Sequence, residues 1–581
     1  MNKRLFTCMM LLAACIMTAT AQKSEPTTEN YRKAVELMDS SEYEAARPLL
    51  EAELKKRPKD GYVWEKMASY YLSQYELDSV TMCLDKALLY LPKKDTEKRC
   101  EAYTVRGLTH YFTEHPDESL ADLGEAQKLK PENEDTYFLR AQILKGQEKH
   151  AESDAELRKL LNVYGVDKSG VYYALGKNMV DRGDYSQALK QLDMAYELNQ
   201  TLTDILIARS DAHLGLGQIR EAIDDAVSAC KLEYVEDTFN QMNYLASDEN
   251  NRASVIARAK QELETTDQPG FWYIVLHSIY NNAGNKPEAL RYVLRAEKQG
   301  EPSANLSKAI ADIFSEAEMN DIALAFVNRT MQAEDVDEDD LPDLRYYRAN
   351  LLYSMGKTQE SIDSITALCN EYSRLATLDK SIANKYFFTK QPKEAIRHMT
   401  AIDDEDEKDA DYWQMLIRMY QMDGDDAGVA MATEKAMETA TNTGETAFTC
   451  ALNSDYASTL KALRQAAEEA KAIESEDDET AVAVEKTALT DEEVDSIMAQ
   501  QLGPYNMACI YSLIGEKQKA IGFLTQALKD GWKDFMHIER DTDLDNIRGE
   551  ADFISVVKMY QSIAKREQEE LKDIYETEFL K

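Results

Sequence analysis

Between Tyr172 and Ala229 the chain repeats a pattern of residue sizes at an interval of 34 positions. The first copy reads Tyr172, Leu175, Gly176, Gly183, Tyr185, Ala188 and Ala195. The second gives Leu206, Gly217, Ala222 and Ala229, each 34 positions after its counterpart. A fixed period of this length marks stacked supersecondary units, none of which can bury its apolar face alone. Apolar residues recur at helical intervals on both sides of the second glycine, so each unit is two short amphipathic helices. Gly183 stands where the first helix must end, in a position that calls for left-handed backbone. Ala188 and Ala195 lie two turns apart on one face of the second helix. Gly176 faces Ala188, and small side chains on both helices let their axes come close. Ala, Glu, Leu and Lys abound, whereas proline numbers only 12. That composition favours an all-α chain, and 44% hydrophobic content is enough for a folded one.

Further copies lie on both sides. Trp64, Met67, Ala68, Tyr71, Ala87 and Pro92 form one; Tyr273, Leu276, Gly284, Ala289 and Ala296 form another. Glycine returns at the inter-helix position at Gly356 and Gly424. The pattern resembles the tetratricopeptide repeat. About a dozen units cover roughly residues 30 to 440. The resemblance implies a right-handed α-solenoid of tetratricopeptide-type helix pairs.

The N-terminus reads as a secretory signal over residues 1–21. Lys3 and Arg4 are basic, Leu5 to Met17 is a short apolar core, and Ala19-Thr20-Ala21 offers small residues before a cut at Gln22. The alternative is the lipobox-like Leu12-Ala13-Ala14-Cys15, which would place a lipid on Cys15. No later stretch is apolar enough to span a bilayer. The expected location is exported, in a bacterial periplasm or associated with an outer membrane. The solenoid is expected over 22–440. Register fades over 441–500, where a helical segment precedes an acidic linker starting Ser475-Glu476-Asp477-Asp478-Glu479. It returns over 501–581 as a C-terminal module (Tyr505, Met507, Ala508, Tyr511, Gly515, Ala520, Leu524, Ala527). The stretch from Gly531 to Phe553 resembles a tail found after a last tetratricopeptide unit, and Ile554 to Lys581 reads as capping helices.

A formal net charge of −39 repels phosphate backbones and anionic lipid, so neither nucleic acid nor a membrane surface is the expected partner. His110 and His115 are five apart, not the i, i+4 of a zinc-protease helix. Asp541, Asp543 and Asp545 begin like a calcium loop, but Asn546 stands where glycine is required and Asp552 where glutamate would chelate. Phosphate-binding and nucleophile motifs are absent from the sequence. No cofactor, metal or catalytic residue is assigned. In an exported chain Cys83 and Cys100 could pair, although small buried thiols are the simpler reading.

Binding is the expected task. The resemblance implies that an inner face is lined mainly by the first helix of each pair. Its register gives Tyr173 and Lys177, then Asn350 and Tyr353, then Lys380, Asn384 and Phe387. Lys380 and Asn384 match the start of the family's carboxylate clamp, but Met415 sits where the next unit should offer asparagine. The expected function is a non-catalytic scaffold or adaptor that binds another exported or envelope protein. Two rivals are an accessory protein of glycan or nutrient uptake, requiring exposed aromatics such as Trp272, Tyr273 and Tyr346, and an unrecognised hydrolase.

Overall fold

A computed structural model describes residues 28–299, 303–371, 376–476 and 489–581. The signal region, Cys15 and most of the acidic linker lie outside the described residues. The described residues form helices and no strand, and the chain divides into two compact units, Met1–Arg258 and Ala259–Lys581. Each unit is an all-α stack of tetratricopeptide-type helix pairs.

In the first unit Lys168–Asp181 pairs with Tyr185–Leu198, and Thr203–Gly215 with Ile219–Leu232. Ala188, Ala195, Ala222 and Ala229 are fully buried. A methyl group on Gly176 would lie 2.5 Å from the Leu192 side chain, which is the close approach the small residues permit. Gly183 ends its helix with φ 82°, and the next N–H, of Asp184, donates to the Met179 carbonyl at 2.8 Å. This is the Schellman closure that turns one helix into its partner. Gly217, Gly284, Gly356, Gly424 and Gly515 repeat it, but so do Ser41, Tyr75, Glu114, Glu148, Glu318, Lys390 and Ser454, at φ of 55–64°. A Cβ costs about 1–2 kcal/mol in that conformation. Packing of the pair therefore imposes the turn where the sequence does not favour it.

Ser454 explains the fading register after 440. Thr443–Leu452 and Tyr456–Glu476 form a further helix pair, with Ser454 in place of glycine at its turn. Serines also tie the two helices of a pair together. Ser153 Oγ donates to the Ala141 carbonyl at 2.7 Å, Ser210 Oγ to Ala222 at 2.8 Å, and Ser361 Oγ to Ala349 at 2.6 Å. Cys83 and Cys100 are free, buried thiols, and burial pushes Cys83 up to about 11.

In the second unit the chain returns on itself. The helix Ala551–Tyr575 packs Leu571 and Ile574 into a core built by Lys286–Gln299, Ala304–Glu316 and Asn320–Thr330. Tyr575 meets Phe314 and Phe326 edge-on, and Glu578 binds Arg291 at 3.0 Å and Arg295 at 2.9 Å. Gln568 donates to the Ala317 carbonyl at 2.8 Å, and Glu318 accepts from the Phe535 N–H at 3.1 Å. The C-terminal residues do not simply cap the last pair. They close onto helix pairs more than 200 residues earlier, as the 283-residue separation of Arg295 and Glu578 shows.

The first unit also holds a buried ionic cluster. Glu65 is fully buried, Lys98 is 2% exposed, and the Lys98 ammonium sits 2.9 Å from Glu101 and 3.8 Å from Glu65. Burial pushes the Glu101 carboxyl up to about 7 from an ordinary 4.5. The folded chain then holds a proton that the unfolded chain has released, so this group makes stability fall as pH rises from 4.5 to 7. Glu101→Gln is expected to remove about 1–3 kcal/mol of that slope. Urea midpoints measured across this window check it, and parallel profiles for the two chains would contradict the assignment.

Candidate functional site

The helices Leu341–Ser354 and Ala376–Phe388 are the first members of successive pairs in the second unit. Between them lies a cavity of about 330 Å³ lined by Tyr346, Asn350, Tyr353, Lys380, Ser381, Asn384, Lys385 and Phe388, among others. Ser381 and Lys385 are four apart and share one helical face, and Lys380 and Asn384 share the adjoining one.

Lys385 is the unusual member. It is only 6% exposed, and lysine is almost never buried to that degree without an opposite charge. Its ammonium donates to Asn350 Oδ1 at 2.9 Å and to Ser381 Oγ at 3.0 Å, both neutral acceptors, and lies 5.0 Å from the Tyr353 ring centre. Among the described residues no carboxylate pairs with it. Burial lowers its pKa to about 8 from 10.5. Nearby carboxylates are committed elsewhere: Glu407 binds Lys380 at 3.0 Å and Asp379 binds His398 at 3.1 Å. The Arg540 guanidinium lies 5.5 Å from the same Tyr353 ring.

A charge held in this way has a cost. Below pH 8 Lys385 is protonated in both the folded and unfolded chains, so the desolvation penalty is fully present at neutral pH. Between pH 8 and 10.5 the folded chain sheds the proton first, and stability rises with pH through that window. Lys385→Met is expected to raise stability by about 1–3 kcal/mol at pH 7. The gain should shrink towards pH 10.5, and denaturant midpoints at both ends of the window measure it.

A second cavity of about 260 Å³ adjoins Asn384 and is walled by Phe387, Phe388, Met415, Arg418 and Met419 on one side. Tyr505, Trp532, His537, Asp541 and Asp543 wall the other. Trp532 stacks on Tyr505 at 4.3 Å, and His537 lies edge-on to Phe388 at 5.4 Å. The C-terminal module thus sits against the face that includes Met415. Cys509, Asp541 and Asp543 come close enough to hold a metal ion, but each carboxylate is already engaged. Arg418 contacts both Asp543 oxygens at 2.8–3.1 Å, and the Tyr505 hydroxyl donates to Asp541 at 2.8 Å. Burial holds the Cys509 thiol far above its ordinary pKa, so it is a thiol rather than a thiolate ligand. Asp541 Oδ1 also caps the turn by accepting from the Asp543 N–H at 3.0 Å. Turn capping and Arg418 therefore account for the calcium-like spacing.

The residues expected on an inner face fall into two groups. Tyr173 and Lys177 lie in the first unit. Tyr173 is half-buried, with burial and the charges of Asp204, Asp181 and Asp211 pushing it up to about 12. Lys177 pairs with Asp181 at 2.8 Å. Asn350, Tyr353, Lys380 and Asn384 meet at the 330 Å³ cavity. Phe387 is 4% exposed and belongs mainly to the core, touching only the second cavity. Of the aromatics a glycan site would need, Trp272 is fully buried, Tyr273 packs near Tyr292, and Tyr346 donates to Ser381 at 3.1 Å. Sequence reading missed Lys385 and Ser381. They fall outside the inner-face positions that the register names, and only their burial and neighbours reveal them.

No protein-family model matches the chain. A chloroplastic protein of Arabidopsis thaliana is 39% identical over 56 residues, which is 10% of this chain and 17% of that protein. The chain thus spans about a sixth of the length of the curated relative it matches. Among solved structures, the C-terminal part of a TPR repeat-containing protein from Cytophaga hutchinsonii is similar at 13% identity, over 41% of this chain and 97% of that one, with a TM-score of 0.35. A tetratricopeptide repeat protein from Parabacteroides merdae is similar at 14% identity, over 51% and 98%, with a TM-score of 0.27. The helix-pair fold of this chain rests on its own backbone and core, not on these likenesses.

Proposed function

We propose that this chain is a non-catalytic scaffold that holds a segment of another polypeptide, in the envelope of a bacterium. The observation that carries the proposal is the convergence of Asn350, Lys380 and Asn384, from two successive first helices, on one open cavity. Asn384 is half-buried there, and its amide has no hydrogen-bond partner among the described residues. Asn350 is held by Lys385 and Lys380 by Glu407, so two of the three are fixed in place and the Asn384 amide is left to meet the polar backbone of a bound segment. The reactive groups in the second cavity support the non-catalytic part, since Arg418, Tyr505 and burial occupy or quiet them. Export is the reading of residues 1–21, with Cys15 as the rival lipid site. Among the described residues no helix is long and apolar enough to cross a membrane.

Placing a photo-crosslinking phenylalanine at position 384 in cells tests the binding face. Met431, 40% exposed on a second helix, serves as the control position. A discrete polypeptide adduct at 384 and not at 431 is expected. Identical adducts at both positions, or none, would defeat the proposal. N-terminal sequencing of the envelope fraction should find Gln22 first, whereas an uncleaved cytosolic chain would defeat the location.

A further inference from the structure

We infer that the cavity around Lys385 is an anion subsite that takes a carboxylate side chain, of glutamate or aspartate, from an extended polypeptide. The inference rests on the scaffold reading and adds the chemistry of what the scaffold grips.

A hydrogen-bond inventory of the cavity leads to it. Ser381 Oγ already accepts from Lys385 at 3.0 Å and from Tyr346 at 3.1 Å, which uses both its lone pairs and leaves its O–H to donate. Asn350 Oδ1 accepts from Lys385, so the amide group left over is its NH₂ donor. The Asn384 amide is free among the described residues. The Lys385 ammonium has three N–H groups and makes two bonds. The Tyr353 hydroxyl on the same wall is buried without a hydrogen-bond partner among the described residues and can donate as well. Unpaired N–H and O–H donors therefore outnumber the one free amide oxygen, that of Asn384, next to a buried positive charge with which no carboxylate pairs among the described residues. A carboxylate is the simplest complement, because it accepts at both oxygens and supplies the missing charge. The chain carries a net charge of −39, yet among the described residues no carboxylate pairs with the Lys385 ammonium.

The subsite is not the family's chain-end clamp. Lys380, which that clamp would use, is already bound to Glu407, and Met415 stands in the next unit where an asparagine would be needed. The groups that matter here are Lys385 and Ser381, which lie outside that register, with Asn350 from the preceding first helix.

The test uses the full-length chain at 0.15 M salt, where long-range repulsion is screened beyond about 8 Å. Binding of fluorescein-labelled hexaglutamate is compared with that of hexaglutamine by anisotropy, and free glutarate is added as competitor. Hexaglutamate is expected to bind at least tenfold more tightly than hexaglutamine. Lys385→Met, and separately Asn384→Asp, should each weaken it about tenfold without lowering the melting temperature. Equal affinity for the two peptides, or full affinity in both variants, would overturn the subsite. So would glutarate that competes at the same concentration as the peptide, because the cavity would then serve a small anion and not a chain. Crosslinking at position 384 remains informative whatever the peptides do. An adduct there with no preference for hexaglutamate removes the subsite and leaves the scaffold reading standing.

Discussion

Arg418→Met is expected to destabilise the Ala259–Lys581 half by about 3–5 kcal/mol, because it strands the Asp543 carboxylate without a counter-charge. Asp543 is 5% exposed, and both its oxygens lie within 3.1 Å of the Arg418 guanidinium. The remaining groups nearby offer no substitute. Asp541 is itself a carboxylate, and its own hydrogen bonds come from Tyr505, the Cys509 thiol and the turn backbone. Met retains much of the packing of the arginine stem, including its place over Phe448, where the guanidinium sits 5.0 Å from the ring centre. The loss should therefore be electrostatic. The double variant Arg418→Met, Asp543→Leu should recover most of it, since replacing a whole buried pair by apolar groups is close to neutral. Urea unfolding of the four chains forms a double-mutant cycle. A loss below about 1 kcal/mol for Arg418→Met alone would put the pair in the class of solvated surface bridges and sink the account.

Ending the chain before Leu571 is the second large effect. The deletion removes Leu571 and Ile574, which are 0% and 3% exposed, together with the Tyr575 and Phe579 rings against Phe314 and Phe326. It also frees Arg291 and Arg295 from Glu578. At roughly 1.5–3 kcal/mol for each large apolar side chain, the loss is on the order of 5 kcal/mol or more. Its location matters as much as its size. Hydrogen exchange should accelerate in Lys286–Thr330, because those helices lose a wall of their core. A capping role confined to the last pair would instead loosen Lys517–Lys529 and leave the earlier helices protected. That pattern would contradict the closure described here.

The two proposals bear on each other through Lys385. A fold keeps an uncompensated buried cation only where something offsets its cost. If Lys385→Met both stabilises the free chain and abolishes binding of acidic peptide, the residue is held for its ligand. The same substitution then measures cost and use together.

The repeat was legible because its signal is local. Gly183, Ala188 and Ala195 recur 34 positions on, since a helix pair that leans on its neighbours meets the same steric demands in every copy. Where a turn is imposed by packing, as at Ser454, the sequence loses the mark although the backbone keeps the shape. The inner-face register picked Asn350, Lys380 and Asn384 as positions on first helices, because helical periodicity carries that much, and the tertiary structure brings them to one cavity. It put Phe387 with them although that ring belongs to the core, since neighbouring angles on a helix do not say which one a partner covers. The meeting of Arg418 with Asp543, 125 residues apart, and of Arg295 with Glu578, 283 apart, has no trace in any local pattern. Such pairs follow from how many small rotations between successive helix pairs add up, and that sum is a property of the packed stack rather than of any one segment. The charge of Lys385 belongs with them: a lysine in a sequence is ordinary, and it stands out only when three dimensions surround it with neutral oxygens and, among the described residues, leave it without a paired carboxylate.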